Sequence, residues 1–78
     1  MNNGIGWAVK QLRNGERIRR AGWNGKGMWI ALQVPDINSK MTEPYVFIEY
    51  PGPNPPYRIP WLCSQADLLA ADWELFTD

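Results

Sequence analysis

Near the start of the chain the apolar residues Ile5, Ala8, Val9 and Leu12 recur at intervals of three and four, which is one stripe of an amphipathic helix. The pattern predicts a helix within residues 3–15, with Asn2 or Asn3 as its cap and Gly15 closing it in the left-handed conformation that glycine tolerates best. A helix of about ten residues does not persist alone. Its stripe needs a sheet to pack on.

Beyond Gly15 the period changes to two. Residues 16–21 (ERIRRA) and 28–34 (MWIALQV) read as two strands around GWNGKG, whose Asn24-Gly25 pair is a strong hairpin signal. A two-residue Asn24-Gly25 turn would pair Ile18 with Ala31 and set Arg17 and Arg19 on the face of Met28, Ile30 and Leu32. An odd loop, 23–25 or 23–27, instead pairs Ile18 with Ile30 or Leu32 on one apolar face, because a slip of one residue turns every side chain over. The odd loop is predicted. It leaves Trp23 and Asn24 unpaired and presented.

Residues 35–44 are a polar connection, and YVFIEY (45–50) is a β-branched and aromatic strand. PGPNPPYRIP is too rich in proline for an interior strand, so it is an extended loop or a sheet edge, stiff enough to wall a ligand. Ser64-Gln65-Ala66-Asp67 matches a capping box opening a short helix through about Ala70, anchored by Leu68 and Leu69. DWELF alternates and predicts a terminal strand. The fold class is α+β: a small antiparallel sheet with an N-terminal helix and a short C-terminal helix.

Length narrows the possibilities. The 78 residues make one domain, residues 1–78, and a chain this short buries only about 60 to 65% of its unfolded surface. With a single cysteine, Cys63, and no histidine, it has neither an internal disulfide nor the ligands of a structural zinc site. Self-association is the remaining support. Five Trp, three Tyr and two Phe supply the contact area for it.

The same absence of histidine removes the Ser/His/Asp, Cys/His and HExxH arrangements. Cys63 lies between Leu62 and Ser64 and reads as a small buried residue. The carboxylates Asp67, Asp72 and Glu74 have structural roles in their elements, and no P-loop, dinucleotide fingerprint or calcium loop occurs. The chain is read as non-enzymatic and without a cofactor. Net charge is zero, which argues against DNA, RNA or a membrane as partner, although residues 1–26 carry +5 (six basic residues against Glu16) and the remainder −5. The opening MNNGIGW has neither region of a signal peptide, and no apolar run approaches the roughly 20 residues of a membrane span. A cytosolic protein is expected.

Binding chemistry is better represented. A nucleotide needs a flat apolar surface for its base, amides or carboxylates for the base edge, and amides or guanidiniums for phosphate. Trp23, Trp29 and Trp61 offer stacking faces; Asn24, Gln65 and Asp67 offer edge contacts; the backbone of residues 25–27 with Lys26, Arg20 and Arg58 offers phosphate contacts. Each has a structural reading too, as core, turn or cap. Trp23 is the tryptophan best placed for a site.

Two stretches, GWNGKGMWIAL (22–32) and PWLCSQADLLAADWELF (60–76), resemble the signature segments of the phage Thoeris anti-defence family, second type. The resemblance implies a non-catalytic sponge that sequesters cyclic nucleotide immune signals intact, in homo-oligomers that are tetramers built from dimers, inside the cytoplasm of the infected bacterium. The signal implied is glyco-cyclic ADP-ribose made from NAD by a TIR-domain enzyme, and for some relatives cyclic dinucleotides at a separate site. Carried over by position, the resemblance marks Trp23, Asn24, Gly25, Lys26, Gly27, Arg58, Trp61, Ser64, Gln65 and Asp67 as ligand-binding. The competing readings are a protein-interaction module using the Pro-rich loop or the sheet edge with its aromatic surface, and a DNA-associated regulator using the basic N-terminal third, against which the zero net charge argues.

Overall fold

The computed structural model describes residues 3–23, 27–52 and 54–77. Its elements run α1 (Ile5–Arg13), β1 (Ile18–Arg20), β2 (Trp29–Gln33), β3 (Tyr45–Tyr50), β4 (Tyr57–Pro60), α2 (Gln65–Leu69) and β5 (Trp73–Leu75). The strands form a five-stranded sheet in the order β4-β3-β2-β1-β5, each neighbouring pair antiparallel. The architecture is the α+β arrangement expected from the sequence.

Period-2 alternation sorts the strand side chains onto two faces. On one face Ile59, Ile48, Ile30, Ile18 and Leu75 stand abreast, one from each strand. Helix α1 lays Ala8 and Leu12 against this row, and with Ile18, Ile30, Ile48 and Trp73 they make the buried core. Ala70, just past α2, packs on the same cluster, so both helices cover one side of the sheet. Burying each large apolar side chain contributes about 1.5 to 3 kcal/mol.

The opposite face carries no helix among the described residues. Trp29 is nevertheless only 8% exposed there. Its cover comes from the sheet itself: the Phe47 and Phe76 rings lie 5.8 and 6.1 Å away, and the guanidiniums of Arg17 and Arg58 sit 5.3 and 5.9 Å from its ring centre.

Local signals hold in most places. Ile18 pairs with Ile30, the register of the odd loop. Strand β1 ends at Arg20, and the next amide, Ala21 N–H, still donates to the Asp72 carbonyl (3.0 Å) on the β5 side. Gly15 takes φ +84° after Asn14 and donates its N–H to the Leu12 carbonyl, ending α1 as expected. The start of α1 differs from expectation. Gly4 is the cap residue without a side-chain bond, and Asn3 is used on the outer edge of β5 instead. Its N–H meets the Ala71 carbonyl, its Nδ2 the Trp73 carbonyl, and its own carbonyl accepts from Trp73 N–H. Asn2 lies outside the described residues.

The end of the proline-rich segment, Tyr57–Pro60, is a sheet edge, one of the two forms expected. Trp61 N–H donates to the Val46 carbonyl, so by antiparallel alternation Ile59 and Tyr57 also direct their backbone groups inward at β3. Arg58 and Pro60 point theirs outward, and Pro60 has no N–H to offer. That edge is therefore poorly suited to receiving another strand. The predicted anchoring of α2 by Leu68 and Leu69 does not occur: they are 41% and 79% exposed. A helix this short is held by its ends, through Ser64 and Asp67.

Candidate ligand-binding site

Asp67 joins three elements. Its backbone N–H donates to the Ser64 hydroxyl (3.1 Å), which is half of the predicted capping box. The other half is absent, because the Asp67 carboxylate turns to the sheet. Its Oδ1 accepts from Arg20 Nη1 at 2.9 Å and from Trp23 Nε1 at 3.1 Å. Its backbone carbonyl accepts from Trp73 Nε1 at 3.2 Å. Arg20 is shared: its Nε donates to Asp72 Oδ1 at 2.7 Å, while Asp72 Oδ2 accepts from Gly22 N–H at 2.8 Å. An added Cβ at Gly22 would sit 2.9 Å from that Oδ2, so the absence of a side chain lets the backbone approach this closely.

These contacts explain how the loop tryptophan is held. Trp73 is 1% exposed, and Trp23 and Trp61 stand edge-on to it at 5.5 and 6.0 Å, with interplanar angles of 80° and 90°. Edge-to-face pairs set the positive ring edge against the negative ring face, each contributing about 0.5 to 1.5 kcal/mol beyond area burial. Trp23 is thus half-buried and hydrogen-bonded, not the freely presented side chain expected from a glycine-rich loop.

Between Trp23 and Trp61 opens a cavity of about 470 Å³, lined also by Met28, Tyr50, Ile59 and Asp67. The size is that of a small-molecule site. Two indoles, a phenol and aliphatic groups give it apolar walls. Asp67 is the one ionised group among its lining residues. Burial pushes the Asp67 carboxyl up, but hydrogen bonds from Arg20, Trp23 and Ser64 outweigh that and hold it below the ordinary carboxylate range. Hydrogen bonding to Arg20 likewise lowers Asp72, and the two carboxylates together raise Arg20. The cavity thus carries a permanent acceptor suited to a ligand N–H or O–H.

A second concavity, about 450 Å³, lies where β3 begins and β4 ends, lined by Met41, Thr42, Glu43, Pro44, Tyr45 and Pro60. It has no comparable convergence of hydrogen-bonded groups. The tryptophan-walled cavity is the stronger candidate.

Of the residues singled out in the sequence, Trp23, Trp61 and Asp67 converge on this cavity. Ser64 caps α2 behind it, and Gln65, the first residue of α2, is exposed and forms no part of its wall. Gly27 takes φ +82° beside the Pro51 ring. Asn24, Gly25 and Lys26 lie outside the described residues. Arg58 stands on the helix-free face, its Nε donating to Glu49 Oε1 at 2.7 Å. Trp29 occupies that same face. Arg20, considered for phosphate, is engaged by Asp67 and Asp72. Cys63 is partly buried, and burial together with Asp67 pushes its thiol up, away from a reactive thiolate.

Sequence reading missed Tyr50, Met28 and Ile59 as walls and Asp72 as the second carboxylate on Arg20. The alternation of YVFIEY does put Tyr50 on the face of Ile48. That Trp23, three residues past β1, comes to this face was not readable from it.

Residues 3–76 match the family model of the Thoeris anti-defense 2-like domain. The chain is also similar to Thoeris anti-defense 2 of Bacillus phage SP01, 31% identical over an 84-residue alignment that covers 91% of each protein.

Proposed function

This chain belongs to the Thoeris anti-defense 2-like family, and from that membership and the tryptophan-walled cavity together we propose that it captures a cyclic nucleotide immune signal and holds it unaltered. The observation that carries the reading is the cavity between Trp23 and Trp61 with the Asp67 carboxylate at its wall. An indole face accepts a base by stacking, at about 1 to 3 kcal/mol per base. The carboxylate accepts from a base amino group or a ribose hydroxyl. Phosphate must be met elsewhere, because the one charge on the cavity wall is negative. Lys26, three positions after Trp23 in the sequence, and a neighbouring copy in a homo-oligomer are the proposed sources of cations.

Capture also accounts for the stiffness of the site. Suppressing a dilute messenger by stoichiometric binding requires nanomolar affinity, about −12 kcal/mol. That is reached when the pocket is already in place and little ordering accompanies binding. Indoles locked edge to face, a capped helix start and a doubly bonded arginine provide such a pocket. The proposed ligands are glyco-cyclic ADP-ribose and, in second place, cyclic dinucleotides. The proposed place of action is the cytoplasm of an infected bacterium. None of the helices described is long and apolar enough to cross a membrane.

The test is calorimetry with glyco-cyclic ADP-ribose and a panel of cyclic dinucleotides, followed by heat denaturation and chromatography of the released ligand. The expected result is nanomolar binding to at least one of them, with the ligand recovered intact. Absence of binding to every one, or recovery of a cleaved product, would refute capture.

A further inference from the structure

Trp23 is held at both ends by a closed ring of bonds that runs behind the cavity. At its tip Nε1 donates to Asp67 Oδ1 at 3.1 Å, and the same oxygen accepts from Arg20 Nη1 at 2.9 Å. Arg20 Nε donates to Asp72 Oδ1 at 2.7 Å, and Asp72 Oδ2 accepts from Gly22 N–H at 2.8 Å. Gly22 is joined to Trp23 by the chain itself, which closes the ring. Its fixed point is Asp72. The Asp72 carbonyl accepts from Ala21 N–H, and the flanking Ala71 carbonyl and Trp73 N–H both pair with Asn3, so the backbone there is clamped on two sides. Trp23 and Asp67 line the cavity, whereas Arg20, Gly22 and Asp72 are not among its lining residues.

We propose that Asp72 is a positioning residue for the captured ligand: it sets the affinity of the tryptophan-walled cavity without touching what is bound there. It acts on Trp23 by two routes, through Gly22 on the backbone and through Arg20 and Asp67 on the indole N–H. This role presupposes the capture described in the preceding section and extends it to a residue outside the cavity. The physical reason is the cost of ordering. An indole free to turn about its side-chain bonds must be fixed when a base stacks on it, and that cost is subtracted from affinity. If only a fraction of molecules hold the indole in place, apparent affinity and association rate fall by that fraction, while a ligand once seated leaves at its former rate.

Two further observations fit a device built for holding. The Arg20 and Asp72 side chains are 20% and 34% exposed, so water screens the pair only in part, and the planar guanidinium serves both carboxylates at once, which a lysine ammonium does poorly. Gly22 lies outside the left-handed region that Gly15 and Gly27 occupy, so the turn does not require glycine. The ring does. A Cβ at that position would lie 2.9 Å from Asp72 Oδ2 and 3.5 Å from Arg20 Nη2, forcing the carboxylate away from the Gly22 amide.

The experiment compares the full chain as wild type, Asp72→Asn, Gly22→Ala and Arg20→Lys, with far-UV circular dichroism to establish folding. The first measurement needs no ligand: hydrogen exchange of the indole N–H groups by NMR, the Trp23 signal being identified by its loss in Trp23→Phe. Each variant is expected to speed exchange at Trp23 about tenfold. The Trp73 indole, bonded to the Asp67 carbonyl, is expected to keep its wild-type rate, which a general loosening of the fold would not allow. The second measurement is stopped-flow fluorescence with glyco-cyclic ADP-ribose. Association is expected to slow about tenfold, with dissociation changed by less than about twofold and the calorimetric stoichiometry unchanged. Asp72→Asn combined with Arg20→Lys is expected to cost little more than either alone, since both open one ring. Should Asp72→Asn not fold, Gly22→Ala and Arg20→Lys carry the same test. Unchanged exchange at Trp23, equal acceleration at Trp23 and Trp73, or an affinity loss carried by dissociation would overturn the positioning role. A wild type that ignores glyco-cyclic ADP-ribose counts against capture of that ligand and leaves the exchange data to decide the hold on Trp23: acceleration confined to Trp23 upholds it, and its absence overturns it.

Discussion

Replacing Asp67 by alanine tests the physical account of the site most directly. The substitution removes the carboxylate that accepts from Arg20 Nη1 at 2.9 Å, from Trp23 Nε1 at 3.1 Å and from the Ser64 side chain, while the bond from the Asp67 backbone N–H to the Ser64 hydroxyl is kept. The Asp67 side chain is 13% exposed and that of Arg20 is 20%, so solvent screens the pair only in part. A bond to a charged group contributes about 1.5 to 3 kcal/mol and a neutral one about 1. Arg20 keeps Asp72, which softens the loss, and the net cost is about 2 to 3 kcal/mol. A chain of 78 residues has roughly 4 to 12 kcal/mol of stability in all. The melting temperature is therefore expected to fall by about 10 to 20 °C, at about 4 to 8 °C per kcal/mol. Tryptophan fluorescence during thermal melts is the assay, since Trp23 should lose its edge-on contact with Trp73. Asp67→Asn retains an acceptor for the indole and should cost about half as much. The pH dependence supplies a second readout. Asp67 and Asp72 both ionise below the ordinary range in the folded chain, so their contribution is complete above about pH 4 and drains away as pH falls further. Wild type should lose melting temperature in that acid window, and Asp67→Asn should lose less of it. An Asp67→Ala protein melting within about 2 °C of wild type would refute the reasoning, since even 1 kcal/mol moves a domain this size further.

Further outcomes follow from the same geometry. Trp23→Ala should weaken binding of the captured nucleotide by about 1 to 3 kcal/mol in calorimetry, as expected where a base stacks; unchanged affinity would make that indole purely structural. Trp73→Ala, which empties the 1%-exposed centre of the cluster, should cost about 3 to 5 kcal/mol and leave little folded protein by circular dichroism at 37 °C. Gly27→Ala should melt below Gly15→Ala: both force a left-handed backbone on a residue with a Cβ, at about 1 to 2 kcal/mol, but only at Gly27 does the new Cβ approach another group, the Pro51 ring, at 3.0 Å. Leu69→Ser, at a 79%-exposed position, should change denaturant stability by less than about 0.5 kcal/mol.

The depth of these effects varies with how much of each feature is local. The stripe of Ile5, Ala8 and Leu12, the odd register that pairs Ile18 with Ile30, the proline-flanked edge at Tyr57–Pro60 and the Ser64 cap all rest on spacing or on the chemistry of a few neighbouring residues. Such features are visible in a sequence because backbone geometry turns spacing directly into a face or a turn. The failures share a different cause. Asn3 was read as a cap and serves the edge of β5, while Leu68 and Leu69 were read as anchors and are exposed. In each case a residue distant in the chain competed for a local partner or never arrived to cover it.

Membership of the anti-defence family was also legible, because the segments 22–32 and 60–76 carry it in the order of their residues. The cavity was not. Trp23 and Asp67 are 44 positions apart, and Arg20 and Asp72 are 52 apart. Their meeting depends on β5 returning to lie beside β1, a long-range pairing that no local pattern encodes. The helix-free face is a similar case: the alternation of each strand is in the sequence, but the order β4-β3-β2-β1-β5 sets Arg58, Glu49, Trp29, Arg19 and Glu74 side by side. Sequence determined which residues each element turns to each side, since that follows from dihedral periodicity; tertiary structure decided which sides meet, since that follows from burying the one core the whole chain can build.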